Sequence, residues 1–246
     1  MNSLIEWIGF FRSRIIYDYK PGIQRKMVEF YRQFVNEGEL CFDIGAHTGS
    51  RTTAFLSLGA KVVAMEPNPA FFELMKRKFS KKKEVVLSSD AIGRGKGVAI
   101  LMISLKYPSI STLSHEWKDI MRGYQSSLKW EETKTVQVTT LDELISRHGV
   151  PSFCKIDVEG FEEEALAGLS TPLKALSFEF FPTTPERSIG CIRQLASLGT
   201  YLFNWSVTET FQFESVEWIS ANKMMETLRK YKDRKSGDIY AVLQHS

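Results

Sequence analysis

Cysteine is scarce in this chain of 246 residues: Cys41, Cys154 and Cys191 stand alone at long spacings. An odd, scattered set of three builds neither a disulfide framework nor a zinc centre, and a reducing, cytoplasmic setting is the expectation. An excess of one charge is also missing. Thirty-two Lys and Arg against 29 Asp and Glu leave a net charge of +3, too small to call for a polyanionic partner. The densest basic runs, Lys76 to Lys83 and Arg229 to Lys235, are interrupted and read as solvated helix faces, so no nucleic-acid partner is expected. A long apolar run is absent too. The stretch Leu4 to Phe11 is short, contains Glu6 and runs into Arg12 and Arg14 without a cleavage site. It is neither a transmembrane helix nor a signal peptide, and docking on the domain is preferred to peripheral membrane contact. No linker composition, internal repeat or low-complexity segment divides the chain, which leaves one globular unit.

What the chain does have is alternation. Leu4, Trp7, Ile8, Phe11 and Ile15, then Ile23, Met27, Phe30 and Phe34 after Pro21, recur at helical spacing until Gly38. Residues 1–37 therefore read as an N-terminal helical extension packed on a core formed by residues 38–246. From Glu39 onward short apolar runs alternate with helical stretches: LCFD, KVVAME, EVVLSSD, SFCKID, ALSFEFF, TYLFNWS and DIYAVL. That rhythm predicts an α/β fold with a mostly parallel sheet, closed by an antiparallel edge where two late strands follow one another. Thr139 or Thr140 caps a helix through Leu141 to His148, and Pro185 opens another that Gly199 closes. Between Gly97 and Val138 the runs VAILMIS and TVQVTT, with a polar stretch between them, form an insertion.

The chemistry concentrates in CFDIGAHTGS. A buried strand delivers Asp43 to its carboxyl end, Gly45 allows a sharp turn, and Gly49 permits close approach as a helix opens. A dinucleotide loop needs G-x-G-x-x-G, but His47 stands in the place of the second glycine, which argues against an NAD-dependent dehydrogenase. An acid beside a pyrophosphate would repel it, whereas a sulfonium or ammonium would be attracted. Twenty-one residues after Gly45, Glu66 ends the next strand, placed to accept ribose hydroxyls. Asp90 with Ala91 follows the third strand as an acid and apolar pair for adenine. The ligand this pattern predicts is S-adenosylmethionine, with Asp43, Gly45, His47, Gly49, Glu66, Asp90 and Ala91 around it.

The motifs CFDIGAHTGS, MEPNP, DAIG, STLSHEW, TTLDEL and KIDVEGFEEEAL, in that order, resemble the FkbM-type family of S-adenosylmethionine-dependent methyltransferases. The resemblance runs from about residue 20 to the C-terminus, although His47 stands where many members carry asparagine. It implies a Rossmann-like class I sheet of seven strands in the order 3-2-1-4-5-7-6, the seventh antiparallel, and methylation of hydroxyls on sugars or secondary metabolites. In that order Asp43 and Asp157 flank the crevice at the topological switch point.

An alcohol acceptor must lose a proton, which calls for a carboxylate, a histidine or an acidifying metal. Asp157 is the first candidate base or metal ligand, with Glu159 and Glu179 next and His115, early in the helix that Ser114 caps, as a further acid or base. Metal dependence stays open, as does the oligomeric state. The expected activity is O-methyl transfer to a hydroxylated small molecule, a sugar or natural-product intermediate. The rivals are an RNA or N-methyltransferase and a non-catalytic protein that binds the same cofactor.

Overall fold

The computed structural model describes residues 22–233 and 235–244, so the helix expected over Leu4 to Ile15 lies outside the described residues. The first element is helix α1 (Ile23–Tyr31), whose apolar stripe Met27, Phe30 and Tyr31 is buried, with Phe34 just beyond it. The Phe34 ring lies 5.0 Å from that of Phe153 in a tilted contact and the Tyr31 ring meets Phe55 edge-on at 4.9 Å, so aromatic contacts seat the helix in the core.

The alternating segments then form β1 (Leu40–Ile44), α2 (Ser50–Ser57), β2 (Lys61–Met65), α3 (Pro69–Lys78) and β3 (Val85–Ser88). After β4 (Ala91–Ile92), the insertion supplies β5 (Gly97–Ile103), a 3₁₀ turn (Pro108–Ile110), α4 (His115–Tyr124) and most of β6 (Glu132–Thr139). Next come α5 (Leu141–His148), β7 (Phe153–Ile156), α6 (Glu162–Leu166), β8 (Ala175–Phe180) and α7 (Pro185–Leu198). The chain closes with β9 (Tyr201–Val207), β10 (Ile219–Ser220), α8 (Ala221–Lys230) and β11 (Gly237–Leu243). Of the two candidate caps, Thr140 is the one used: its hydroxyl accepts from the Glu143 N–H at 3.1 Å.

The main sheet has eight strands in the order β10-β9-β11-β8-β7-β1-β2-β3, not seven. The extra strand is β10, which pairs antiparallel with the outer edge of β9 and has only two residues, too few to show a periodic pattern in sequence. Inside it, β3-β2-β1-β7-β8 are parallel, and β11 runs antiparallel between β8 and β9. With β4 the insertion builds a separate sheet, β4-β6-β5.

Both faces of the central strands are covered, which is why they read as continuous apolar runs. Phe42, Ile44, Cys154, Ile156 and Phe178 pack on one side; Cys41, Val62, Ala64 and Phe153 pack with α1 on the other. Each such large side chain contributes about 1.5–3 kcal/mol of transfer free energy. Among the described residues no helix is long and apolar enough to cross a membrane.

Because β1 lies between β2 and β7, the chain leaves it in one direction and the later strands add on the other side. A crevice opens at the carboxyl ends of β1, β2, β7 and β8, where this connectivity reverses.

Candidate functional site

The loop after β1 is held from both neighbours. The N–H groups of Gly45 and Ala46 donate to the Met65 carbonyl at 2.9 Å, and the Asp157 N–H donates to the Ile44 carbonyl at 2.9 Å. Gly45 has φ +77°, and a Cβ there would stand 1.8 Å from the Asp157 carbonyl oxygen. The glycine is required by the close approach of two strand ends. Gly49, at φ +73°, is packed against the Phe79 ring in the same way, so both glycines of the motif answer to the protein's own packing.

Asp43 is buried, and its Oδ2 accepts from the Thr52 N–H at 2.9 Å and the Thr52 hydroxyl at 2.5 Å. The acid thus ties β1 to the first turn of α2 while lining the crevice. Burial pushes its carboxyl up, against the downward pull of those Thr52 bonds.

Glu66 is held on both oxygens: Oε2 accepts from the His47 N–H and Oε1 from the Asn68 N–H, each at 2.7 Å. Burial nevertheless pushes it up to about 7. Each oxygen keeps a further lone pair for a hydroxyl donor. His47 takes a left-handed φ of 54°, which aims its N–H at Glu66, and its ring lies 3.9 Å from that of Phe71. Burial lowers the imidazole to about 3, so it is neutral at physiological pH.

Asp90 is half-buried, and Ala91 and Ile92 are buried beside it; all three line the crevice with Leu101 and Phe71. The segment Pro108 to Leu113 of the insertion closes the same end, and Ser111 Oγ accepts from Asn68 Nδ2 at 3.2 Å. Sequence reasoning missed Asn68. The pair Asn-Pro at the start of α3 was the available signal, since Asn68 caps that helix through Ala70.

Across the switch point, β7 and β8 bring Asp157, Glu159 and Glu179 together, with carboxylate oxygens all within 4.8 Å of one another. Lys155, completely buried, donates to Asp238 at 2.6 Å and lies 3.3 Å from Asp157. Burial pushes Asp157 up, but Lys155 and Arg51 outweigh it and hold the carboxyl below its usual value. Burial, then repulsion from Asp157, pushes Glu159 and Glu179 well above theirs.

Arg51 lines the crevice and meets Glu209 at 2.6 Å. The two are separated by 158 residues, and nothing local in the sequence links them. Glu162 is buried and accepts from the N–H groups of Val158 and Gly160 at 3.1 and 3.2 Å. His115 departs from its expected place. It is exposed on the first turn of α4 and outside the crevice lining, because Ser114 and Trp117 form that helix's inward side.

The donor set suits a cationic nucleoside. Acids surround one end beside an apolar wall of Ala91, Ile92, Leu101 and Phe71, and no glycine-rich anion cradle is present in the motif. Over 157 residues the chain is 26% identical to hexuronic acid methyltransferase AglP of Haloferax volcanii, an alignment that covers 63% of this chain and 60% of that protein's length. A precorrin-6y C5,15-methyltransferase structure from Geobacter metallireducens has TM-score 0.48 and 11% identity, covering 93% of this chain and 91% of its own. A SAM-dependent O-methyltransferase from Thermotoga maritima has TM-score 0.46 and 12% identity, covering 95% and 71%. The model of the methyltransferase FkbM domain matches residues 43–234, most of the chain and every strand end that forms the crevice after Asp43, and the protein belongs to that family.

Proposed function

We propose that the protein is an S-adenosylmethionine-dependent O-methyltransferase acting on a hydroxyl of a small molecule of the sugar class. The observation that carries this reading is the placement of Asp43, Glu66 and Asp90, at the ends of β1, β2 and β3, in one crevice with the acids of β7 and β8. Family membership supports the methyl transfer, and the relative whose name specifies a hexuronic acid supports a sugar acceptor.

S-adenosylmethionine bound there would supply an electrophilic methyl on a sulfonium whose positive charge is lost on transfer. Asp43 supplies negative potential at that end, Glu66 accepts from the ribose hydroxyls, and Asp90 with Ala91 borders the adenine. Gly45, His47 and Gly49 shape the loop, with the His47 N–H holding Glu66 in place. Asp157, whose carboxyl Lys155 and Arg51 hold below its usual value, accepts the hydroxyl proton of the acceptor, and Glu159 and Glu179 hold that oxygen toward the methyl. Helix α1 is part of this unit, packed into its core.

Calorimetry and methyl transfer test the reading. S-adenosylhomocysteine should bind and NAD should give no heat; the reverse sinks the proposal. With labelled donor and a panel of neutral and acidic sugars, the product should carry a methyl ether by mass spectrometry. A methyl ester or an N-methyl product would remove the hydroxyl assignment while leaving the cofactor assignment intact.

A further inference from the structure

The geometry points to a divalent-cation site formed by Asp157, Glu159 and Glu179 at the acceptor end of the crevice. Asp157 follows β7 directly, and the parallel register of Ile156 with Phe178 puts Glu179 of β8 beside it. Glu159 comes to the same point from the turn after β7, with its backbone carbonyl anchored by the Thr112 hydroxyl at 2.7 Å.

Three carboxylate oxygens within 4.8 Å of one another span the coordination sphere of a single ion, whose oxygen ligands lie at roughly 2.0–2.6 Å. Among the described residues no Lys or Arg forms an ion pair with Glu159 or Glu179. The nearby ammonium of Lys155 is committed to Asp238, with a longer contact to Asp157.

Two further observations set this cluster apart from a solvated acidic patch. Glu179 Oε2 is shut off from solvent and has no hydrogen-bond partner. Trp117, 1% exposed, brings its indole N–H beside Glu159. A buried carboxylate oxygen without a donor is costly, and a cation removes that cost. The indole N–H would then steady Glu159 from behind as the ion draws the carboxylates together.

An all-oxygen carboxylate set selects a hard cation such as Mg²⁺, Mn²⁺ or Ca²⁺, and three ligands leave positions for water and an acceptor oxygen. An acceptor hydroxyl on such an ion is acidified, which serves O-methylation; that use, though not the binding itself, rests on the proposed function. A protonated amine is the competing occupant.

The test is titration of the full chain, stripped with chelator, with MnCl₂ by calorimetry and by electron paramagnetic resonance. One saturable site per chain is expected, weakened about tenfold or more in Glu179→Gln and Asp157→Asn but unchanged in Glu116→Gln, an exposed acid elsewhere. Absence of saturable Mn²⁺ or Mg²⁺ binding, or unchanged affinity in both variants, overturns the inference; so does saturable glucosamine binding without metal binding. Should both variants fail to fold, the wild type decides: MnCl₂ must raise its melting midpoint, and no rise rejects the site. S-adenosylhomocysteine titrated into the same sample separates the failures. Homocysteine adduct bound without Mn²⁺ rejects only the ion, and Mn²⁺ bound without the adduct rejects only the methyl-transfer reading.

Discussion

The two ends of the crevice are both lined by carboxylates, but they are held in opposite ways. At the Glu66 end, main-chain N–H groups and Thr52 occupy the acids: two bonds on Glu66 and two on Asp43. At the Glu179 end, one lysine is shared, and an oxygen of Glu179 has no donor. The first arrangement is completed by folding alone, since the donors belong to the loops that the acids themselves order. The second is left incomplete by the fold, which is the expected state of a surface that meets its partner only when ligand arrives.

The substitution that breaks both ends together is Gly45→Ala. A Cβ 1.8 Å from the Asp157 carbonyl, at φ +77°, forces β1 and β7 apart, and a loss of about 4 kcal/mol or more in urea unfolding is expected. Gly95→Ala, with nothing within 4 Å of the new Cβ, should change stability by less than about 1 kcal/mol.

Glu66 tests the first end alone. Its folded value of about 7 stands above the 4.5 of the free side chain. Between these values the unfolded chain releases the proton and the folded chain keeps it, so this group's contribution is fully present below 4.5 and is lost as pH rises to about 7. The loss is on the order of 3 kcal/mol, and it should vanish from the pH dependence of Glu66→Gln when unfolding curves are compared. Affinity for S-adenosylhomocysteine should rise in the wild type as pH passes through about 7, where the folded carboxylate ionises and becomes the better acceptor for ribose.

Thr52→Val removes the hydroxyl donor to Asp43 but keeps the N–H. About 1.5–3 kcal/mol of stability should be lost, with weaker cofactor binding by calorimetry and no separate effect on the acceptor. At the other end Glu179→Gln should leave stability within about 1 kcal/mol, because it replaces a carboxylate whose Oε2 has no hydrogen-bond partner. S-adenosylhomocysteine affinity should be unaltered while methyl transfer falls at least about tenfold. A parallel fall in cofactor affinity would erase the distinction between the ends. The smallest effect belongs to His115→Ala, within about 0.5 kcal/mol and without change in transfer rate, since the side chain is exposed outside the crevice.

The Glu66 end was also the more legible of the two. Gly45, Gly49, Asp43 and Glu66 sit at fixed offsets from strand ends, so a local pattern places them once the strands are recognised. Their detailed work was not legible: Gly45 answers to Asp157, and Asp43 to Thr52. Glu209 was invisible because it lies 158 residues along the chain from Arg51, and only the folded chain brings the two together. The short β10 evaded detection because two residues hold no alternation to read.

The sequence by itself determined which segments would be buried on two faces, where the glycine turns fall, and that acids end successive strands. These follow from local periodicity and from conformations that few residues adopt. Tertiary structure decided which acids are satisfied. The bonds of Lys155 to Asp238, Arg51 to Glu209 and the neighbourhood of Asp157 with Glu179 depend on strand order and register. Electrostatic energy depends on separation in space and on burial, and neither is written in the spacing of residues along the chain.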